Sequence, residues 1–426
     1  MEKFDLEWAR QMGYAVSFAS LPGNSGRVKS VMESRPSCFD YYDFPEYTVA
    51  VTNGGAGEQF RGDRIIAAKD GSFHMVFRKF DGYTAKWGRT MDEDPTHCPW
   101  GNEIADIEIT TACSGIRDKD GNRAPCIFCY KSNQPNGSYM SFDTFKVVFD
   151  KMNQPRTMTQ IAFGVDAECK TNPDVWKIMD YAIENGVTPN VTVADIDQET
   201  AENIVKRCGA CAVSCYERNK NRCYDSIKLL TNEVKRQGRE HFSVNMHLLV
   251  SHETEDFVFE VLNDRLNDER LKDMGAIVLL SLKQKGRGKA FRKMDDEVYK
   301  KVIFFLQDNK ISYGSDSCGA NRLMNCLKAY YDGKENGDKQ YKKVLNCVEP
   351  CESTLYSQYI NVDGKFFPCS FMEGEEGWKD GIDLTDDKYK NFTTQVWNHP
   401  RILEWRQNAI RCINCNGCNQ CPHYEI

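Results

Sequence analysis

Between residues 104 and 309 the chain alternates strand-like and helix-like periods, and few folds accommodate that rhythm. Short apolar runs fall at Ile104–Ile109, Gln160–Gly164, Asn190–Val193, Cys211–Ser214, Ser243–His247 and Ala276–Leu282. After each comes a segment with helical spacing of its apolar residues: Ser141–Met152, Pro173–Asn185, Gln198–Lys206, Tyr224–Gln237, Glu255–Leu266 and about Asp295–Asn309. Strands and helices in this order predict an α/β fold with a parallel sheet and right-handed crossovers. A closed eight-unit barrel would need two more units than these. In parallel barrels the loops at the carboxyl ends of the strands build the functional site.

The loop after the first strand carries Cys113, Cys126 and Cys129. Three thiols on one loop supply three corners of a [4Fe–4S] cube and leave one iron free to bind something else. A zinc knuckle, or plain core cysteines, would use the same residue types. Twelve residues separate Cys113 from Cys126, but only two separate Cys126 from Cys129. The intervening Asp118-Lys119-Asp120-Gly121-Asn122-Arg123-Ala124-Pro125 is turn-forming in composition. A looped-out hairpin there would return the chain to nearly the same place.

A second cysteine pattern lies near the carboxyl end. Twelve residues separate Cys351 from Gly364, and four separate Gly364 from Cys369. Asp363-Gly364 predicts a hairpin turn between Tyr359–Val362 and Lys365–Phe367. A polar helix is expected around Arg401–Ala409, followed by Cys412, Cys415, Cys418 and Cys421-Pro422 at intervals of two residues. That run resembles a ferredoxin-type cluster loop, and zinc also suits it. Cys208, Cys211, Cys215 and Cys223 sit on and around an expected core strand, where a thiol serves as a small hydrophobe.

With 426 residues the chain has room for two or three domains. A net charge of −7 predicts no general nucleic-acid binding. No stretch approaches 18 consecutive apolar residues, and the start MEKFDLEWARQ carries no charged flank before an apolar run, so neither a membrane span nor a signal peptide is expected. Nineteen cysteines without a secretion signal point to metal or cluster binding in a reducing, cytoplasmic compartment. Residues 1–100 predict a small β-rich region from Val49–Val51, Arg64–Ala68 and Phe73–Phe77. It would dock substrate or cap the barrel, with Gly54-Gly55-Ala56-Gly57 as a hairpin turn and Trp87 and Trp100 in a linker.

Together the three-cysteine loop and the strand–helix alternation resemble the radical S-adenosylmethionine (SAM) enzymes. The family loop has three residues between its first two cysteines, so the spacing here is a departure. The resemblance implies a partial (β/α)6 TIM-type barrel over residues 101–310, with a [4Fe–4S] cluster on Cys113, Cys126 and Cys129. It places Phe128 beside the SAM adenine. Gly164, Asp166 and Glu168 stand where the family has Gly-Gly-Glu, so Glu168 or Asp166 would hold the SAM ammonium.

Thr192 and Ser214 end the third and fourth strands, placed to bond the ribose or carboxylate, although such residues also cap helices. His247 ends the fifth strand and would contact adenine or substrate, or simply fill core. Lys283 opens Lys283-Gln284-Lys285-Gly286-Arg287-Gly288-Lys289, which reads as a backbone nest for a phosphate or carboxylate, or as a solvated loop. A short apolar strand before Cys318 would add a seventh β element. Cys318 would donate hydrogen to a radical or ligate an auxiliary cluster, and Asp316 would act as a general base.

The Cys351/Cys369 pattern is similar to the start of the SPASM or twitch extension of this family, here residues 311–426. One auxiliary cluster on Cys351, Cys369, Cys418 and Cys421 is expected, with Cys347, Cys412 and Cys415 as substitutes or parts of a second. The implied reaction is reductive cleavage of SAM to a 5′-deoxyadenosyl radical that abstracts hydrogen from a peptide or protein substrate. A flavodoxin or ferredoxin would supply the electron. A sugar or nucleotide substrate, and a non-catalytic electron-transfer or zinc-binding role, are the alternatives.

Overall fold

The computed structural model describes residues 25–55, 61–90, 92–239, 241–345, 347–349 and 351–414, the side chains of 25–27 and 411–414 excepted. Helix α1 (Ser25–Ser34) precedes an antiparallel meander of β1 (Phe39–Asp43), β2 (Tyr47–Thr52), β3 (Arg64–Ala68), β4 (His74–Arg78) and β5 (Tyr83–Trp87). Alternation divides its residues between two cores. Ile65, Ala67 and Val76 pack with Val28 and Val31 of α1, while Ile66, Met75 and Phe77 pack with Trp100 and Tyr356. The expected β-rich region is therefore present, with Trp87 ending a strand rather than lying in a linker. Buried Arg64 fastens the meander to the rest of the molecule by donating to the carbonyls of Arg156 at 3.0 Å and Gly186 at 2.9 Å.

The main sheet begins at β6 (Ile104–Glu108), after which a two-stranded hairpin, β7 (Ile116–Arg117) and β8 (Arg123–Ala124), leaves the barrel. The repeating units follow as α2 (Phe142–Met152), β9 (Gln160–Gly164), α3 (Val175–Glu184), β10 (Thr188–Val193), α4 (Gln198–Arg207) and β11 (Ala210–Cys215). They continue through α5 (Lys220–Arg236), β12 (Ser243–Val250), α6 (Glu255–Asn267), β13 (Ile277–Ser281) and α7 (Asp296–Asp308). Every strand and helix expected between residues 104 and 309 is present.

Local chemistry writes these boundaries. Ser141 accepts from the Thr144 amide at 3.1 Å to start α2, and Asp197 accepts from the Thr200 amide at 3.0 Å to start α4. Helix α2 then buries Phe145, Val148, Phe149 and Met152, an i, i+3, i+4, i+7 stripe. Each such side chain contributes about 1.5–3 kcal/mol by leaving water. Along β12 Val244, Met246, Leu248 and Val250 are buried toward the helices, while Asn245, His247 and Leu249 line a half-open lumen.

The barrel extends beyond six units, by the seventh β element expected before Cys318 and by an eighth strand not expected in it. Strand β14 (Tyr313–Ser315) pairs with β13, and after α8 (Ala320–Tyr331) and α9 (Gly337–Leu345) strand β15 (Ser357–Ile360) pairs in parallel with β6. The order β14-β13-β12-β11-β10-β9-β6-β15 is that of an eight-stranded parallel barrel, with no pairing between β14 and β15 among the described residues. The carboxyl-terminal hairpin is present too, β15 turning into antiparallel β16 (Lys365–Phe367), with β17 (Ile382–Asp383) beside it. Its first arm is thus also the eighth barrel strand. Helix α10 (Pro400–Asn414) closes the described chain. No helix among the described residues is long and apolar enough to cross a membrane.

Candidate active site

The twelve residues between Cys113 and Cys126 fold back on themselves. Ile116 pairs with Ala124 and Arg117 with Arg123, across a turn in which Asp118 accepts from the amides of Asp120 at 3.0 Å and Asn122 at 2.9 Å. Gly115 makes the return possible: its φ is +84°, and a Cβ there would sit 2.0 Å from the Ala124 carbonyl oxygen and 2.7 Å from the Pro125 nitrogen. The backbone two residues after Cys113 therefore touches the backbone just before Cys126. Cys126 and Cys129 then share one turn, the Cys129 amide donating to the Cys126 carbonyl at 3.2 Å, and Cys113 donates to the Gln134 carbonyl at 2.9 Å.

Cys113, Cys126 and Cys129 are half-buried, whereas Cys208, Cys211, Cys215 and Cys223 are packed into the core as the sequence implies, and Cys169 packs there with them. Among the described residues no three Cys, His, Asp or Glu side chains are gathered closely enough to hold a metal ion as they stand. The backbone brings the three cysteines onto adjoining turns, and thiols are the donor set of an iron–sulfur cluster. Phe128 lies between two aromatic rings, 4.4 Å from Phe291 and 6.2 Å from Tyr216 by centroids.

The hairpin is latched to the barrel mouth by charge. Arg117 reaches Glu168 at 2.6 Å and Asp195 at 2.5 Å, and Arg123 reaches Glu168 at 2.6 Å. Arg218 and Arg222, from the loop after β11 and from α5, donate to Asn122 and Asp118 at 2.9 and 2.6 Å. This arrangement gives both Glu168 and Asp166 partners within the chain. Glu168 is engaged by two arginines, and Asp166 accepts from the amides of Glu168 at 3.1 Å and of Lys170 and Thr171 at 2.8 Å, building the turn after β9. Gly164 packs closely on β6, where an added Cβ would lie 3.1 Å from the Glu108 Cα.

Inside the barrel Ser214 and His247 pair in register on neighbouring strands, and Thr192 faces the same lumen from β10. Burial pushes the His247 imidazole down to about 4, with Asp316 pulling the other way, so the ring is neutral near pH 7. The unfolded ring takes up its proton first, so stability falls as pH drops from about 6.5 toward 4. A His247→Gln variant should lose part of that decline, read from thermal midpoints across the window. Asp106, missed from sequence, faces inward from β6. Solvent reaches it through the lumen, yet the surrounding wall desolvates its carboxyl and lifts it to about 6. Asp106 and Glu108 at alternate positions in an apolar strand are the signal that would have revealed both.

Asp316 is not an open base. It accepts from Ser281 Oγ and the Gly319 amide, both at 3.0 Å, and pairs with Lys283. Lys283 lies 5.1 Å from the Phe371 ring centroid and within electrostatic reach of Cys318, whose thiol burial pushes up while Lys283 pulls it back. Cys351 and Cys369 lie within electrostatic reach of Cys318. Cys415, Cys418 and Cys421 are outside the described residues, as is the side chain of Cys412, and Cys347 is exposed.

A buried network unforeseen from sequence ties the cysteine loop to the hairpin. Lys131 bonds the Tyr359 hydroxyl at 2.7 Å, lies 3.2 Å from Glu108 and pairs with Glu373, while Tyr359 donates to Glu108 at 2.9 Å. Lys131→Met would strand two carboxylates without their cation and should cost about 3 kcal/mol. A urea midpoint lowered at unchanged slope checks this.

No family model and no curated protein matches this chain. Among solved structures it is similar to BtrN in complex with AdoMet and 2-DOIA, at 9% identity and a TM-score of 0.36, over 76% of this chain and 93% of that one. It is also similar to a truncated 3-deoxy-D-arabino-heptulosonate 7-phosphate synthase from Thermotoga maritima, at 10% identity and a TM-score of 0.29, over 73% of this chain and 89% of that one. Scores at this level carry no argument about a shared fold or activity.

Proposed function

We propose that this chain is a radical SAM enzyme whose first cluster is held by Cys113, Cys126 and Cys129. The observation that carries the reading is the hairpin closed by Gly115 against Ala124 and Pro125, which makes a long spacing in sequence a short one in space. Three half-buried cysteines on adjoining turns are a donor set suited to a [4Fe–4S] group and would leave one iron without a protein ligand. When bound there and reduced, that group supplies the electron that splits SAM into methionine and a 5′-deoxyadenosyl radical.

The chain's own residues bind and orient. Thr192 and Ser214 present hydroxyls, and His247 a neutral imidazole, along one inner wall. Glu168 is tied to Arg117 and Arg123, so it serves the loop and leaves the SAM ammonium to other acceptors. Asp106, with its carboxyl near 6, is suited to move a substrate proton near neutrality. Lys283 and Asp316 form an ion pair beside Cys318 that orients the substrate end of the lumen.

The region from residue 311 onward is proposed to hold one auxiliary cluster through Cys351, Cys369, Cys418 and Cys421. A peptide or protein substrate and a flavodoxin or ferredoxin reductant complete the reading. It is tested by reconstituting the clusters anaerobically, reducing them and recording electron paramagnetic resonance spectra with and without SAM. A reduced-cluster signal that changes on SAM addition is expected. A signal indifferent to SAM would overturn the assignment.

A further inference from the structure

The loop after β13, with its glycines and cations, reads from sequence as an anion nest. In the structure it wraps the cysteine turn instead. The Arg287 amide donates to the Cys129 carbonyl at 3.1 Å, its Nε to the Cys126 carbonyl at 2.8 Å, and its Nη1 to the Asn133 carbonyl at 3.3 Å. Gly286 permits this approach: with φ +55°, a Cβ there would lie 2.3 Å from the Tyr130 carbonyl oxygen. Lys285 anchors the other side of the loop to the Phe371 carbonyl at 2.7 Å and to Glu375 at 2.9 Å.

Charge balance sets Arg287 apart from the other cations here. Arg117, Arg123, Lys131, Lys283 and Lys285 each face a carboxylate. Among the described residues none pairs with Arg287, whose side-chain hydrogen bonds go to backbone carbonyls of the cysteine loop. Its fixed fork suits that task, because a guanidinium donates in several directions from one plane and keeps its charge.

We propose that Arg287 is a positioning residue for the Cys126–Cys129 turn and directs an uncompensated positive charge at the cluster that the turn would hold. The second half rests on the radical SAM reading; the first does not. A nearby cation favours the more negative, reduced state of a cluster and so raises its potential. The mechanism is thus a cradle that both orders the thiol loop and eases its reduction.

Two variants separate these effects. In the cluster-free full-length chain, hydrogen exchange at the Cys129 and Ser132 amides should quicken at least tenfold in Arg287→Met and in Arg287→Lys, since lysine lacks the fork. The amides of β10–β12 should keep their wild-type rates. Unchanged exchange at Cys129 and Ser132 in both variants would overturn the positioning role.

In the reconstituted protein, the cluster's midpoint potential should fall in Arg287→Met and stay near the wild-type value in Arg287→Lys. Equal potentials in the wild type and Arg287→Met would overturn the electrostatic role. A wild-type chain that takes up no iron would bring down that electrostatic half together with the functional reading. The exchange rates would still decide the cradle.

Discussion

A Cys129→Ala chain reconstituted anaerobically with iron and sulfide should lose at least nine-tenths of the cluster bound by the three-cysteine loop. Cys129 closes the turn that begins at Cys126, and a cube left with two protein thiols has two open irons and little to hold it. A Cys208→Ala chain is the control, since Cys208 is buried in the core and outside the site, and it should load normally. Any auxiliary cluster would survive in both proteins, so the comparison is made on the difference in iron and sulfide per chain and on the matching loss of visible absorbance. Equal loading of Cys129→Ala and wild type would mean that the loop holds no cluster.

Gly115→Ala should be nearly as damaging, although it removes no ligand. The new methyl group would meet the Ala124 carbonyl oxygen at 2.0 Å, in a backbone conformation with φ +84° that an L side chain rarely adopts. Relief requires the hairpin to swing out, and Arg117 and Arg123 must then leave Glu168 and Asp195. On the order of 2 kcal/mol of stability should be lost, seen as a lower urea midpoint. The diagnostic result is the uncoupling of Cys113 from Cys126: cluster loading should fall several-fold while the far-ultraviolet circular dichroism stays unchanged. Full loading in a folded Gly115→Ala chain would show that the hairpin's closure is not what brings the cysteines together.

What the sequence shows most clearly is whatever is local. Apolar period two and helical period four fix the strands and helices between β6 and α7, because each buried stripe lies within one segment. The turn-rich composition of 118–125 likewise foretells the β7–β8 hairpin. Strand β15 is harder to see as part of the barrel, since its alignment with β6, 253 residues away at Ser357 and Ile104, depends on tertiary contact. Strand β14 has only three residues, yet the short apolar run before Cys318 already points to it as a seventh β element.

The same distinction governs the site. Cys113, Cys126 and Cys129 stand out as candidates because thiol chemistry and spacing are sequence properties, and Thr192 and Ser214 because they lie one residue short of their strand ends, whereas β12 runs on to Val250 and leaves His247 inside the strand instead of at its end. The pairing of Glu168 with two arginines is not legible, because those arginines come from a hairpin whose docking no local pattern specifies. Lys131 escaped notice for a related reason. Its partners Glu108, Tyr359 and Glu373 are spread along the chain and meet only when the carboxyl-terminal hairpin closes on the cysteine loop. The Lys283–Lys289 loop reads from sequence as an anion nest or a solvated loop, and no local pattern tells that Arg287 turns inward on backbone carbonyls.

The most direct measurement is the quantity of 5′-deoxyadenosine formed when the anaerobically reconstituted wild-type chain is given SAM and dithionite, beside the Cys129→Ala chain. The radical SAM assignment predicts product from the wild type and none above background from the variant. A fully iron-loaded wild type that forms no 5′-deoxyadenosine would contradict it and leave the loop as an electron-transfer or structural site.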